Sequence, residues 1–222
     1  MKLTIFAATG GIGRLALQQA VAAGHDATAV ARNPRNLPSG AAQVITADLA
    51  APDPAMLQAA VAGADAVLSG LGPRGKADAG ITSQGTLAIV AAMQAAGVRR
   101  LVVVSAAPVG TVPSPGRPRP PRHDPGDGFF LRTVAYPVLK AALRQVYADL
   151  AQMEDVLRDS DLDWTSVRPV RLTSKPATGR YRTAVGRNVR HGMSISRADV
   201  ADYMLRVTGQ PDTFRQAIGV AN

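Results

Sequence analysis

Thr4-Ile5-Phe6-Ala7-Ala8-Thr9-Gly10-Gly11-Ile12-Gly13-Arg14 is the stretch that decides the fold. An apolar run ends in a glycine cluster, and the cluster opens into a helical pattern carrying Leu15, Leu17, Ala20, Val21 and Ala22 without a proline. Strand, tight glycine turn and helix, in that order, bring main-chain amides and a helix N-terminus against a pyrophosphate. Glycine suits such a turn because a Cβ would block the phosphate or strain the backbone. Thr9, Gly10, Gly11, Ile12 and Gly13 are therefore the candidate cradle for a dinucleotide.

A second strand should follow the helix, and Asp26-Ala27-Thr28-Ala29-Val30-Ala31 reads as one. In this arrangement the residue after that strand meets the adenosine ribose. A carboxylate there accepts from the 2′-OH of NAD, whereas an arginine accommodates the 2′-phosphate of NADP. Here Arg32, Asn33, Pro34 and Arg35 follow, with no carboxylate among them. A guanidinium fork can hold a phosphate bidentately. Arg32 and Arg35 thus favour NADPH over NADH, the alternative being that they are ordinary loop charges.

The 222 residues, 46% hydrophobic and 18% charged, predict a folded globular chain forming one domain over 1–222. Without cysteine, disulfides, zinc–thiolate sites and a thiol nucleophile are excluded. His25, His123 and His191 lie far apart with no ligand spacing, so no metal is expected. No apolar run approaches the roughly 20 residues of a membrane helix, and Gly10 to Arg14 interrupts any signal-like core, so a soluble cytoplasmic protein is expected. The net charge of +9 is scattered, and its densest patch, Arg117, Arg119 and Arg122, sits among prolines without interleaved aromatics. That argues against nucleic acid and for steering of anionic small molecules.

Further along, strands alternate with helices, the signature of a mostly parallel sheet with helices on both faces. Val44-Ile45-Thr46 and Ala66-Val67-Leu68-Ser69 read as strands, and Arg100-Leu101-Val102-Val103-Val104-Ser105 as a strand buried on both faces. Helices are expected over residues 54–61 and 83–96. Seven prolines, four basic residues and two glycines between Pro108 and Pro125 predict no regular element there. Such a loop (about 108–128) at a strand's carboxyl edge is read as a mobile lid or a disordered insertion. Val138, Ala142, Val146, Leu150, Met153 and Leu157 then form one apolar stripe about five turns long. Asp163-Trp164-Thr165-Ser166-Val167 is a strand, with Trp164 packing in the core, and it ends at Arg168-Pro169. Residues 181–185, 193–195 and 217–220 are candidate short strands, and Ser196 to Asp199 a capping box for a last helix over 199–207. No exposed apolar stripe is left over, so the oligomeric state is not specified.

With these pieces placed, the sequence resembles the atypical short-chain dehydrogenase/reductases, most closely the NAD(P)H-binding, NmrA-like group that includes biliverdin-IXβ reductase/flavin reductase. Phe6 to Gly13 stands where that family reads F-G-A-T-G-x-x-G, and Val30-Ala31-Arg32-Asn33-Pro34 ends the second strand with its arginine. Val103-Val104-Ser105-Ala106 agrees. So do Glu154-Asp155-Val156-Leu157-Arg158-Asp159-Ser160-Asp161-Leu162-Asp163-Trp164-Thr165-Ser166-Val167-Arg168-Pro169, Ala177-Thr178-Gly179 and Ile195-Ser196-Arg197-Ala198-Asp199-Val200-Ala201. The resemblance implies an α/β, Rossmann-like doubly wound parallel sheet with helices on both faces and a small C-terminal substrate-side elaboration. It implies NADP(H) as cofactor, with Asp48 and Leu49 at the adenine and Gly70 and Leu71 near the cofactor's middle. It also implies Ser105 at the nicotinamide or substrate, the alternative being a hydroxyl that satisfies a strand-end carbonyl, and Arg168, Pro169 and Val170 as a wall on the nicotinamide side.

Two departures stand out. Ala7 replaces the family's usual first glycine, so the turn must accept a methyl group. The wider superfamily's Tyr-x-x-x-Lys proton donor is matched literally by Tyr136-Pro137-Val138-Leu139-Lys140, but too far ahead of Glu154; at the usual register stand Val146, Tyr147 and Leu150, with no lysine. Hydride transfer itself is the cofactor's chemistry. The expected function is NADPH-dependent hydride transfer to a flavin, quinone, tetrapyrrole or similar conjugated acceptor that draws its proton from solvent. The alternatives are a non-catalytic NmrA-like redox sensor that binds NADP(H) and an enzyme with a sugar-nucleotide or quinone substrate.

Overall fold

A computed structural model describes residues 1–73, 78 and 80–222. Its strands are β1 (Lys2–Phe6), β2 (Asp26–Ala31), β3 (Gln43–Thr46), β4 (Ala66–Ser69), β5 (Arg100–Val104), β6 (Asp163–Pro169), β7 (Arg171–Thr173), β8 (Arg182–Val185), β9 (Ser194–Ser196) and β10 (Gln216–Ala221). The helices are α1 (Gly13–Ala22), α2 (Pro54–Val61), α3 (Ile81–Ala95), α4 (Tyr136–Ala142), α5 (Arg144–Asp159) and α6 (Arg197–Arg206).

The main sheet runs β3-β2-β1-β4-β5-β6-β10-β8, parallel throughout except for the β10–β8 pair. Strand order reverses direction between β1 and β4. In open α/β sheets that switch point leaves a crevice beyond the strands' carboxyl ends. The fold is the Rossmann type.

Each central strand divides its side chains between two cores, as the period of two requires. Leu3 and Ile5 of β1, with Val102 and Val104 of β5, pack against Ala16 and Leu17 of α1 and Val200 and Met204 of α6. Phe6, Leu101 and Val103 face the other way, against Leu57 of α2, Ile89 and Met93 of α3 and Met153 and Leu157 of α5. Trp164 belongs to this second core. With helices on both faces, the apolar run of β5 has no polar alternation to show.

Capping explains several helix starts. Asp53 precedes Pro54 and accepts from the amides of Ala55 and Met56. Ser196 Oγ accepts from Asp199 N at 2.9 Å, the N-cap bond read from the sequence, and donates to Asp199 Oδ2 at 2.8 Å. The carboxylate of Asp149 on α5 caps α3 from outside, taking the amides of Thr82 and Ser83 at 2.9 Å each. At α1, by contrast, no side chain caps the N-terminus, so its first-turn amides keep no side-chain partner.

The structure corrects three expectations. The stripe from Val138 to Leu157 is two helices, broken at Leu143 (φ −115°, ψ 32°). Only α5 buries its stripe; Val138 is 65% exposed and, with Phe130 and Val134, leaves an apolar face uncovered. The proline-rich segment does contain a regular piece, a 3-10 turn at Ala107–Thr111 with Pro108 and Val109 buried. Beyond it the segment is anchored at two places. Asp155 accepts from Ser114 Oγ at 2.9 Å and Gly116 N at 3.0 Å, and buried Asp124 accepts from Asn188 N at 2.8 Å. The C-terminal elaboration is the parallel pair β7–β9 together with the edge strand β8.

Candidate functional site

A cleft of about 650 Å³ opens where β1, β2, β4 and β5 end. Thr9, Gly10, Gly11 and Ile12 line it beneath the open N-terminus of α1. Ala7 adopts φ 54°, a left-handed conformation that costs a non-glycine residue roughly 1–2 kcal/mol. That conformation turns the Ala7 carbonyl back to accept from Gly10 N at 2.8 Å. The same oxygen would lie 2.3 Å from a Cβ at Gly13, and a Cβ at Gly70 would lie 2.7 Å from Gly13 N. Gly13 is thus outside the cleft lining. It is glycine because turn, helix and β4 press together there.

At the end of the cleft beyond β2, Arg32 lines it with Asn33 and Asn36, while Arg35 does not. Asn33 Oδ1 accepts from Arg35 N at 3.2 Å and starts a 3-10 turn at Pro34–Asn36. That turn brings Asn36 to the cleft lining and leaves Arg35 exposed outside it. Asp48 and Leu49 line the adjoining wall, and Asp48 Oδ1 holds its loop through Ala50 N at 3.0 Å. Gly70 and Leu71 also line the cleft.

At the opposite end, Ser105 lines the cleft just after β5, and its Oγ donates to Glu154 Oε1 at 2.9 Å. Glu154 is buried and also accepts from Ser166 Oγ at 2.9 Å, Arg168 Nε at 2.8 Å and Arg168 Nη2. Burial pushes the Glu154 carboxyl up, but the Arg168 guanidinium and the two serines outweigh it and hold the group below the usual carboxylate range. Ser105 is thereby committed as a donor to an ionised partner, and it presents lone pairs to the cleft. The strand-end alternative for this hydroxyl is replaced by a carboxylate on α5.

Several expected residues are not gathered here. Arg168 is turned inward to Glu154, and neither Pro169 nor Val170 reaches the lining, because β6 carries them one strand beyond Ser105. Tyr136 is buried away from the cleft, and burial pushes its hydroxyl well up. Lys140 bonds to Thr111, with burial lowering its ammonium despite nearby Asp127. Burial raises Tyr147 to about 12, and it too lies off the lining. Conversely, Asn33, Asn36, Leu172 and Arg197 line the cleft without having been singled out. The Asn-Pro pair at 33–34 was the only local sign for the asparagines, as a turn starter.

Comparison with known proteins agrees with this geometry. Residues 7–211 match the NAD(P)H-binding family, and the chain belongs to it; a nicotinamide dinucleotide is therefore its ligand class. A solved structure of a candidate exported protein from Burkholderia pseudomallei is 31% identical, with each chain fully covered and a TM-score of 0.76. The anaerobillin reductase ChuY from Escherichia coli O157:H7 shares the fold at 23% identity, with 100% of this chain and 97% of that one covered and a TM-score of 0.74. So does a wide-type short-chain dehydrogenase/reductase from Veillonella parvula in complex with NADP, at 21% identity, with coverage of 100% and 94% and a TM-score of 0.76.

Proposed function

We propose that this chain is a cytoplasmic reductase that uses NADPH to deliver hydride to a flavin, quinone, tetrapyrrole or similarly conjugated acceptor. The observation that carries the reading is the Ser105–Glu154 bond at one end of the cleft, with Arg32 at the other. Bound NADPH would supply the hydride. Thr9 to Ile12 bind the pyrophosphate through main-chain amides, Arg32 with Asn33 and Asn36 holds the 2′-phosphate, and Asp48 and Leu49 flank the adenine. Ser105 orients the nicotinamide end or the acceptor by accepting one hydrogen bond.

No side chain in this scheme donates a proton to the substrate. Tyr136 and Lys140 lie off the cleft, and the Ser105 proton is held by Glu154. That favours acceptors whose ring takes hydride directly and is protonated by water. Holding two rings together can by itself lower a barrier by roughly 7–11 kcal/mol.

The exposed apolar face of Phe130, Val134 and Val138 favours one competing reading, a sensor that binds NADP(H) without turnover and presents this face to a protein. NADPH consumption measured with flavin and quinone acceptors separates the two. A reductase consumes NADPH only when acceptor is present. Binding of NADPH with no acceptor-dependent consumption would overturn the reductase reading.

A further inference from the structure

Arg197 opens α6, and its side chain crosses the glycine turn. A Cβ at Gly11 would lie 3.1 Å from both Cδ and Nε of this arginine. Gly11 is not among the positive-φ residues, so its backbone does not demand glycine. Space does. The missing side chain lets the arginine stem lie on the turn, and both residues line the cleft.

The guanidinium of half-buried Arg197 is little committed, whereas the two buried arginines among the described residues are fully engaged. Arg168 is paired with Glu154, and Arg100 is bonded to the carbonyls of Asp163, Val207 and Thr208. Arg197 has no ion-pair partner among the described residues, and its one hydrogen bond runs from Nη1 to Ser174 Oγ at 3.2 Å. Its backbone is fixed. Ser196 caps the helix, and Asp199 accepts from the amides of Thr178 and Gly179 at 2.7 and 2.9 Å. A cation with free donors therefore stands on a fixed backbone, its stem against Gly11 of the glycine turn.

We propose that Arg197 closes over the pyrophosphate of the dinucleotide, so that the phosphates are gripped between the first crossover and the last helix. This rests on the cleft being the dinucleotide site. Arg32 answers to the 2′-phosphate, which only NADPH has; Arg197 answers to the pyrophosphate, which NADPH and NADH share. The elaboration, whose Leu172 already lines the cleft, would thus gain a charged link to the cofactor site through the Arg197–Ser174 bond.

Calorimetric titration of NADPH and NADH into the wild type, Arg197→Ala, Arg197→Lys and Arg32→Ala tests this. Charged hydrogen bonds of this kind correspond to about 10–100-fold in affinity. Arg197→Ala should weaken both nucleotides by the same factor in that range, with its ligand-free thermal midpoint unchanged, and lysine should restore part of the loss. Unchanged affinity of Arg197→Ala for both nucleotides, with Arg32→Ala still selectively weak for NADPH, would overturn the clamp and leave the cofactor reading intact. A loss confined to NADPH would also overturn it. Failure of the wild type to take up either nucleotide would remove both claims together.

Discussion

Ser105 Oγ donates to Glu154 Oε1 across 2.9 Å, and this bond decides what the inner end of the cleft can offer. The carboxylate is saturated by Ser105, Ser166 and Arg168 and stays ionised, so the serine acts as an acceptor. A neutral hydrogen bond is worth about 0.5–1.5 kcal/mol net, and 1.4 kcal/mol is about tenfold. Ser105→Ala should therefore lower kcat by about tenfold or less, with the NADPH Kd little changed, as steady-state kinetics and titration would show. A fall of many orders of magnitude would make Ser105 a proton donor after all.

Removing the carboxylate is a different matter. Glu154→Ala leaves Arg168 charged, buried and unpaired, which costs about 3–5 kcal/mol. Urea unfolding should show a loss of that size; a loss under about 1 kcal/mol would mean the pair is compensated elsewhere.

The same pair sets the acid limit. The Glu154 carboxyl is held below its ordinary 4.5, so its contribution to stability is present above that value. It fades as pH falls through the lower, folded-state value. The alkaline limit belongs to the tyrosines. Burial lifts Tyr147 and Tyr203 to about 12 from an ordinary 10.0, and Tyr136 and Tyr181 rise as well. Their contribution is complete below pH 10 and declines as pH climbs toward 12. Arg100, lowered by burial to about 10, works in the opposite sense above that pH but stands against four phenols. Unfolding free energies across a pH series, with tyrosinate absorbance followed in parallel, should show phenol ionisation delayed until the fold gives way. Ordinary titration in the folded protein would contradict this.

Ala7→Gly should stabilise the protein by about 0.5–1 kcal/mol. The left-handed conformation at φ 54° costs alanine roughly 1–2 kcal/mol, and the extra freedom of an unfolded glycine offsets part of the gain. The thermal midpoint should rise by about 2–4 °C per kcal/mol for a chain of this length. A lower midpoint would mean that the alanine methyl is itself packed.

Much of this architecture is legible residue by residue because local rules govern it. The bounds of β2, α2 and β4 follow from apolar runs bracketed by Pro54, by the Asp53 cap and by glycines. The cofactor turn is likewise local, and so is the box at Ser196. The break at Leu143 is not, since apolar spacing continues in register on both sides of it. Asn36 reaches the cleft lining and Arg35 does not because a three-residue turn rotates one in and the other out. The roles of Glu154 and Arg197, both inside the stretches that carry the resemblance, escape a sequence reading for a deeper reason. Each acts on a residue far away in the chain, Ser105 in one case and Gly11 in the other, and no spacing rule spans such distances.

Tyr136→Phe and Lys140→Ala serve as a control pair. Both side chains sit off the cleft, one buried near Asp127 and Tyr147, the other on Thr111. Acceptor-dependent NADPH consumption should persist in each within about threefold, well short of the 10²–10⁴-fold that a general acid–base group contributes. A loss on that larger scale would restore the tyrosine–lysine pair as the proton donor.

The central claim is that Arg32 reads the 2′-phosphate of a dinucleotide lying along Thr9 to Ile12. It is tested most directly by paired affinities for NADPH and NADH in the wild type and in Arg32→Ala. The wild type should bind NADPH at least about tenfold more tightly, and the substitution should erase that preference while leaving NADH unchanged. Equal weakening of both nucleotides, or a wild type that takes up neither, would contradict the account.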